Sequence, residues 1–338
     1  MRSGYFDLLR AAALTRVVLY HSMGWAWITV AFPAMGMMFA LAGALTAASL
    51  DQGGSAGTVL GRRLRRLLPP VWALAGLAVP AMLLAGESAW SLGWWLLPLR
   101  TPHIAGHLAP ALSMIWYIRA YLWFMLLSPL LLRVFRRYPV AALITPFALL
   151  LMFSGIGARG GSVPAELWDL SLYGTCWLLG FAHHDGLLRA VPTRVFMVLT
   201  GALAVAGLLW IITHPGARGY DLNDIPIGNV LWSAALVLVM FRLVPRRDPL
   251  QRWPRAAGAV AFLNRRAMTI YLWHQMAILT TLTLAAAVGA TLDRPEVLSL
   301  VLLILAVAVV AFGWVEDLAA RWVLRSFPIP IQAVPGSR

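Results

Sequence analysis

Two side chains near the start of the chain, Arg10 and His21, are of types that can handle anionic charge and protons. On a helix, eleven residues at about 100° each return to within about 20° of the starting direction and separate the pair by about 16 Å along the axis. That spacing suits a long, thin reactant lying along one face, with a cation near its anionic end and an imidazole near its reactive end. Imidazole is the side chain best placed to exchange a proton near neutral pH. The plain alternatives are that Arg10 pairs with Asp7 at i−3 and that His21 is a hydrogen-bonded core or interfacial histidine. Arg16 stands about 240° around from Arg10, so it is expected off that face, in a structural pairing within the bundle. Arg119 lies one turn from Trp116 and Trp123 and reads either as a group orienting an acceptor or a carbonyl, or as a cation–π partner. Tyr271 and His274, three residues apart, share a face and offer either a direct role or a helix–helix hydrogen bond. Arg62, Arg63, Arg65 and Arg66 form a basic run that reads as an orientation signal with anionic-lipid contact, or as a docking site for phosphates.

The elements that must position these groups follow from composition. The chain has 338 residues, 61% of them hydrophobic and 12% charged, against about half apolar and about a quarter charged in a soluble domain. All 27 basic residues are arginine, against 13 acids, for a formal charge of +14. A strongly basic soluble protein would suggest nucleic acid, but a mean hydropathy of +0.78 points to lipid. Crossing about 30 Å of hydrocarbon takes roughly 20 apolar residues. Ten such windows occur, at about 6–26, 30–50, 67–85, 113–132, 139–156, 167–183, 195–213, 227–243, 267–288 and 297–320. The expected fold is therefore all-α, a polytopic bundle of about ten transmembrane helices over residues 1–326 with a short cytoplasmic tail at 327–338. The first apolar run, broken by Arg16 and lacking a small-residue cleavage pattern, is expected to be retained. The stretch 86–112, interrupted by three prolines but rich in Trp and Leu, reads as an amphipathic segment at the lipid–water interface.

Alternate loops divide the arginines sharply: twenty fall on one side of this arrangement and four on the other. By the positive-inside bias both termini are expected in the cytoplasm, and basic clusters recurring at every second boundary argue against a nucleic-acid face. Gly36, Ala40, Gly43 and Ala47 form a small-residue stripe that calls for close helix packing. The single Cys176 excludes an internal disulfide and any multi-cysteine metal site. His103 and His107 have helical ligand spacing, but the nearby prolines and the lack of a third ligand argue against a metal, and none is expected. No nucleophile elbow, phosphate-binding glycine loop or H-E-x-x-H element is present.

Five ordered pieces carry a family resemblance. Tyr5-Phe-Asp-Leu-Leu-Arg10 through Val18-Leu-Tyr-His21 resembles the opening of the acyltransferase-3 family of integral membrane acyltransferases, with its Arg, ten residues and a His. Phe39-Ala-Leu-Ala-Gly43 is similar to the family's F-x-L-S-G element, with Ala42 in place of Ser. The segments 62–72, 115–122 and 264–274 resemble its basic-then-proline lead-in, its W-F-L-R-x-Y-L element and its late Y-L-W-H element. The resemblance, to the stand-alone branch, implies transfer of an acyl group, often acetyl, from cytoplasmic acyl-CoA to a hydroxyl of a sugar, glycan lipid or glycosylated metabolite. It implies Arg10 and His21 as the catalytic pair, with His21 as base or acyl relay. Arg119, Trp116, Tyr271 and His274 would contact substrate, and Arg62, Arg63, Arg65 and Arg66 would hold the CoA phosphates. Acyl-CoA would be a co-substrate with no permanently bound cofactor, and the site of action a bacterial inner membrane. The competing class is a transporter or flippase of a lipid-linked or acylated sugar, for which inverted repeats would be expected and none is seen.

Overall fold

The computed structural model describes residues 4–52, 55–102, 108–245 and 247–326. Ten long helices coincide with the ten apolar windows: α1 (Gly4–Met23), α2 (Ala34–Gln52), α3 (Ala56–Leu84), α4 (Ile115–Arg137), α5 (Pro139–Ala158), α6 (Ala165–His184), α7 (Thr193–Thr213), α8 (Pro226–Arg242), α9 (Ala267–Ala287) and α10 (Arg294–Ser326). Among the described residues there is no strand, only an isolated bridge between Gly216 and Gly219. Seven segments, those containing α2, α3, α4, α5, α7, α9 and α10, are long and apolar enough to cross a bilayer, so the chain is an all-α multi-pass membrane protein. Of the other three, α1 and α6 are interrupted by charged groups and α8 has only 17 residues. The expected tail at 327–338 and the pair His103 and His107 lie outside the described residues.

Local chemistry explains where these helices start and stop. Ser55 caps α3, its Oγ accepting from Thr58 N–H at 3.2 Å. This helix begins eleven residues before its apolar window, because its first turns carry the basic run and are amphipathic. Gly24, at φ +65°, ends α1, its N–H bonded to the carbonyl of Tyr20 at 2.9 Å. Pro69, Pro70 and Pro80 sit inside α3 and Pro129 inside α4, as membrane helices tolerate where neighbours re-satisfy the backbone.

Burial ranks the helices by position. In α2's spanning segment 61% of the apolar window is buried, against 11% for α5, so α2 runs through the bundle and α5 faces lipid. The small-residue stripe does what its spacing predicts. A Cβ on Gly43 would sit 2.2 Å from the backbone oxygen of Trp177, and one on Gly180 2.2 Å from that of Ala40, so α2 and α6 pack backbone to backbone. Around this seam Phe39 stacks on Tyr173 (4.7 Å) and Phe124 on Trp177 (5.0 Å), whose indole N–H donates to Ser128 Oγ at 3.1 Å.

The stretch 86–112 corrects its sequence-based reading in part. Trp90 and Leu96 are exposed as an interfacial segment requires, but Trp95, Ala111 and Leu112 are buried in the bundle. The prolines bend the chain inward, and the start of α4 is delivered against α9, where Met114 O accepts from the Tyr271 hydroxyl at 3.2 Å.

Candidate active site

The last turns of α1 bring Arg16, Tyr20 and His21 to the wall of a cavity of about 300 Å³. The rest of the wall comes from elements far apart in sequence: Met35 at the start of α2, Trp116 at the start of α4, Asp169 and Tyr173 in α6, the loop residues Arg218 and Asn223, and Tyr271 in α9. These positions cluster at one end of the bundle. The other end carries Asp51, Arg136 and His184, at the far ends of α2, α4 and α6.

His21 makes no hydrogen bond to a described residue, so its ring nitrogens are free to meet a ligand. Its ring packs edge-on to Tyr20 (4.7 Å) and lies 5.2 Å from the ring of His274. His274 is fully buried, and its Nδ1 lies 2.6 Å from Tyr271 O. A carbonyl oxygen only accepts, so Nδ1 carries the hydrogen and Nε2 presents a lone pair, which has no partner among the described residues. The expected alternative for His274, a helix–helix hydrogen bond, is thus replaced by a bond within its own helix. The start of α9 is tied by three bonds to two neighbours, α1 and α10. Asn264 donates to Asp7 O (2.7 Å), Arg266 pairs with Asp317 (2.8 Å), and the N–H of Thr269 donates to Glu316 Oε1 (2.7 Å).

The outer rim is an ionic network. Tyr20 donates to Asp221 Oδ2 at 2.5 Å and accepts from Arg218 at 2.7 Å, while Arg218 grips Asp224 through two nitrogens at 3.0 and 2.8 Å. That grip holds the Asp224 carboxyl below its usual range and pushes the Arg218 guanidinium up. Leu222 N–H donates to Thr29 Oγ1 (2.9 Å), which ties the loop down beside α1.

The sequence-predicted residues separate into three groups. Trp116 and Tyr271 line the cavity with His21, and His274 lies beside the His21 ring; Trp116 stacks on Tyr173 at 5.7 Å. Arg10 shares a helix face with His21 but does not line the cavity, and it has Asp7 at 3.6 Å. Arg119 is 5% exposed and neither lines the cavity nor makes the cation–π contact considered for it. It bonds Asp169 at 2.5 Å and Thr101, with Glu166 at 4.0 Å, and so positions the cavity acid Asp169. Arg62, Arg63, Arg65 and Arg66 lie in the first turns of α3. Arg63 donates to Ser49, Leu45 O and the Tyr121 hydroxyl, and Arg65 lies over Trp322. From Tyr121 a run of rings leads to the cavity, through Tyr117 (6.4 Å), Tyr271 (5.0 Å), His274 (5.6 Å) and His21 (5.2 Å).

Sequence reasoning missed Arg16, Asp169 and Arg218 as cavity residues. Arg16 was placed off the face by angle alone, yet its long side chain reaches the cavity. A signal existed: no acid stands within four residues of it on α1 to pair with it. Elsewhere Asp51, His184 and Asp185 come within 4.8 Å of one another as metal ligands might be arranged, but Arg136 bonds both carboxylates at 2.8 to 3.0 Å and already matches their charge.

Neither a curated protein nor a solved structure matches the chain. The family model Acyl_transf_3, described as an acyltransferase domain, matches residues 3–315 of 338. A match over nearly the whole length, on a bundle that delivers a histidine to a membrane cavity, makes this chain a membrane acyltransferase of the Acyl_transf_3 family.

Proposed function

We propose that the protein moves an acyl group, acetyl in the simplest case, from acyl-CoA to a hydroxyl of a sugar, glycan lipid or glycosylated metabolite. Donor binds at the arginine-rich end and acceptor in the cavity at the opposite end. In this reading a His21 ring nitrogen takes the acceptor hydroxyl proton as the oxygen attacks the thioester carbon. The carbon–sulfur bond then breaks, and the leaving thiolate recovers the proton from the imidazolium. His274 Nε2, a buried acceptor beside the His21 ring, favours the imidazolium that forms. Arg62, Arg63, Arg65 and Arg66 would hold the CoA phosphates, and the run of rings from Tyr121 to His274 would line the way for the acyl arm. All ten long helices would cross a bacterial inner membrane, with both termini in the cytoplasm where the arginines concentrate.

The observation that carries this reading is a histidine on the wall of a ligand-sized cavity whose ring has no hydrogen-bond partner among the described residues. Membranes holding the protein, incubated with labelled acetyl-CoA and a panel of hydroxylated acceptors, test it. Label retained on an acceptor is expected. Movement of an acceptor across the membrane without modification would replace the enzyme with a transporter.

A further inference from the structure

Among the described residues Arg16 is the one guanidinium on the cavity wall that makes no ion pair with a carboxylate. It is 8% exposed, in the second half of α1, with Nε 3.4 Å from Ile28 O and Cζ 5.1 Å from the centre of the Tyr20 ring. Among the described residues its two terminal nitrogens have no hydrogen-bond partner, and Arg16 lines the same cavity as His21. The acids nearby are already engaged. Asp169 is held by Arg119, and Asp221 accepts from the Tyr20 hydroxyl and the N–H of Asn223. Asp224 is held on two sides by Arg218, which is itself more than half exposed on the rim.

A cation at this depth is costly, about 2.5 kcal/mol or more on insertion scales, and natural chains keep one only where it meets a partner or an aqueous cavity. Water is able to hydrogen-bond a guanidinium in such a cavity, but water supplies no countercharge. The planar fork of arginine fits two oxygens of a carboxylate or phosphate at once, a geometry lysine cannot offer. Five residues of helix place Arg16 about 7.5 Å along the axis from His21, roughly the reach of one sugar-sized ring with an anionic group on one side and a hydroxyl on the other. Trp116 and Tyr173 supply flat walls for such a ring.

Building on acyl transfer at His21, we propose that Arg16 binds an anionic group of the acceptor, a carboxylate or a phosphate, so that the acceptor is an acidic hydroxylated molecule. Arg16 then sets acceptor choice and acts before the chemical step, in register with the hydroxyl presented to His21.

The test is equilibrium binding of three probes to the purified full-length protein in nanodiscs at fixed ionic strength: methyl glucoside, methyl glucuronide and glucose 6-phosphate. At least one anionic probe is expected to bind ten times more tightly than the glucoside or better, and which of the two does so separates a carboxylate site from a phosphate site. Arg16→Gln should erase the preference, and Arg16→Lys should keep only part of it. Equal binding of all three probes, no binding of either anion, or a preference that survives in Arg16→Gln would overturn the proposal. Should Arg16→Gln fail to fold, the wild-type comparison and Arg16→Lys still decide. Transfer of label from acetyl-CoA is scored separately. An Arg16-dependent preference without transfer to any acceptor keeps the anion site and removes the acyl-transfer reading. Transfer with equal efficiency to neutral and anionic acceptors does the reverse.

Discussion

At the arginine-rich end of the bundle, Arg136 is clasped by Asp51 and Asp185, His184 shares Asp51 at 2.7 Å, and Arg266 reaches Asp317 and Gly313 O. At the cavity end the same residue types are used differently. Arg119 and Arg218 have their acids, but among the described residues Arg16 pairs with none, the His21 ring makes no hydrogen bond, and His274 Nε2 has no partner. At the first end Arg136, His184 and Arg266 are matched with acids, which serves architecture and topology, although His183 Nδ1 beside them is buried without a partner among the described residues. The other leaves Arg16 and His21 on the wall of about 300 Å³ of space with His274 behind them, and a cation and an imidazole unengaged at a cavity wall are placed to meet a ligand.

The sharpest way to break this contrast is at His21. His21→Ala should lower acyl transfer by about 10²- to 10⁴-fold, the range for removal of a general base, with the amount of protein in the membrane unchanged. Full activity would mean that the open end is not where the chemistry occurs. Next in size is Arg119→Met, which strands Asp169 beside the cavity. Losing one partner of a buried pair costs about 3–5 kcal/mol, so thermal unfolding in detergent should show a large loss, partly restored by adding Asp169→Leu. If Arg119 instead served the acceptor directly, activity would fall without a change in stability. A smaller effect is expected from His274→Phe, which keeps the ring but deletes the Nε2 acceptor. The reaction should slow about tenfold in kcat with KM unchanged, and a rise in KM alone would reassign His274 to ground-state binding.

The arginine-rich end supplies the control. Arg136 and Asp51 are more than a third exposed, so their pairing is screened. Arg136→Gln should therefore cost about 1 kcal/mol or less and leave transfer unaltered. A large effect there would erase the distinction between closed and open ends.

How much of this was legible in advance depends on whether a feature is local. Helix positions were, because a 20-residue apolar run in lipid has few alternatives to a helix, and the stripe from Gly36 to Ala47 announced the seam with α6. The cavity was not. Its wall joins α1, α4, α6, α9 and the loop carrying Arg218, and no spacing within one segment reports that assembly. Arg119 was visible as an ionisable group in an apolar run, but its partner Asp169 lies fifty residues away. The inward turn of 86–112 was hidden because prolines and tryptophans suit an interfacial helix and a buried loop equally well.

The smallest expected effect concerns the rim, where the open end borrows the chemistry of the closed one. Asp224 is held below the usual carboxylate range by Arg218, so it is charged in the folded protein at a pH where a free carboxyl has begun to protonate. Its contribution to holding the loop is then fully present above the unfolded value of about 3.9 and is lost as pH falls through the lower folded value. Arg218 keeps its charge throughout that range. Hydrogen exchange of residues 216–224, corrected for intrinsic rates, should be flat from neutral pH down to about pH 4 and rise only below it. Arg218→Gln should move the rise to higher pH. A profile that stays the same in Arg218→Gln would mean that this pair does not hold the rim.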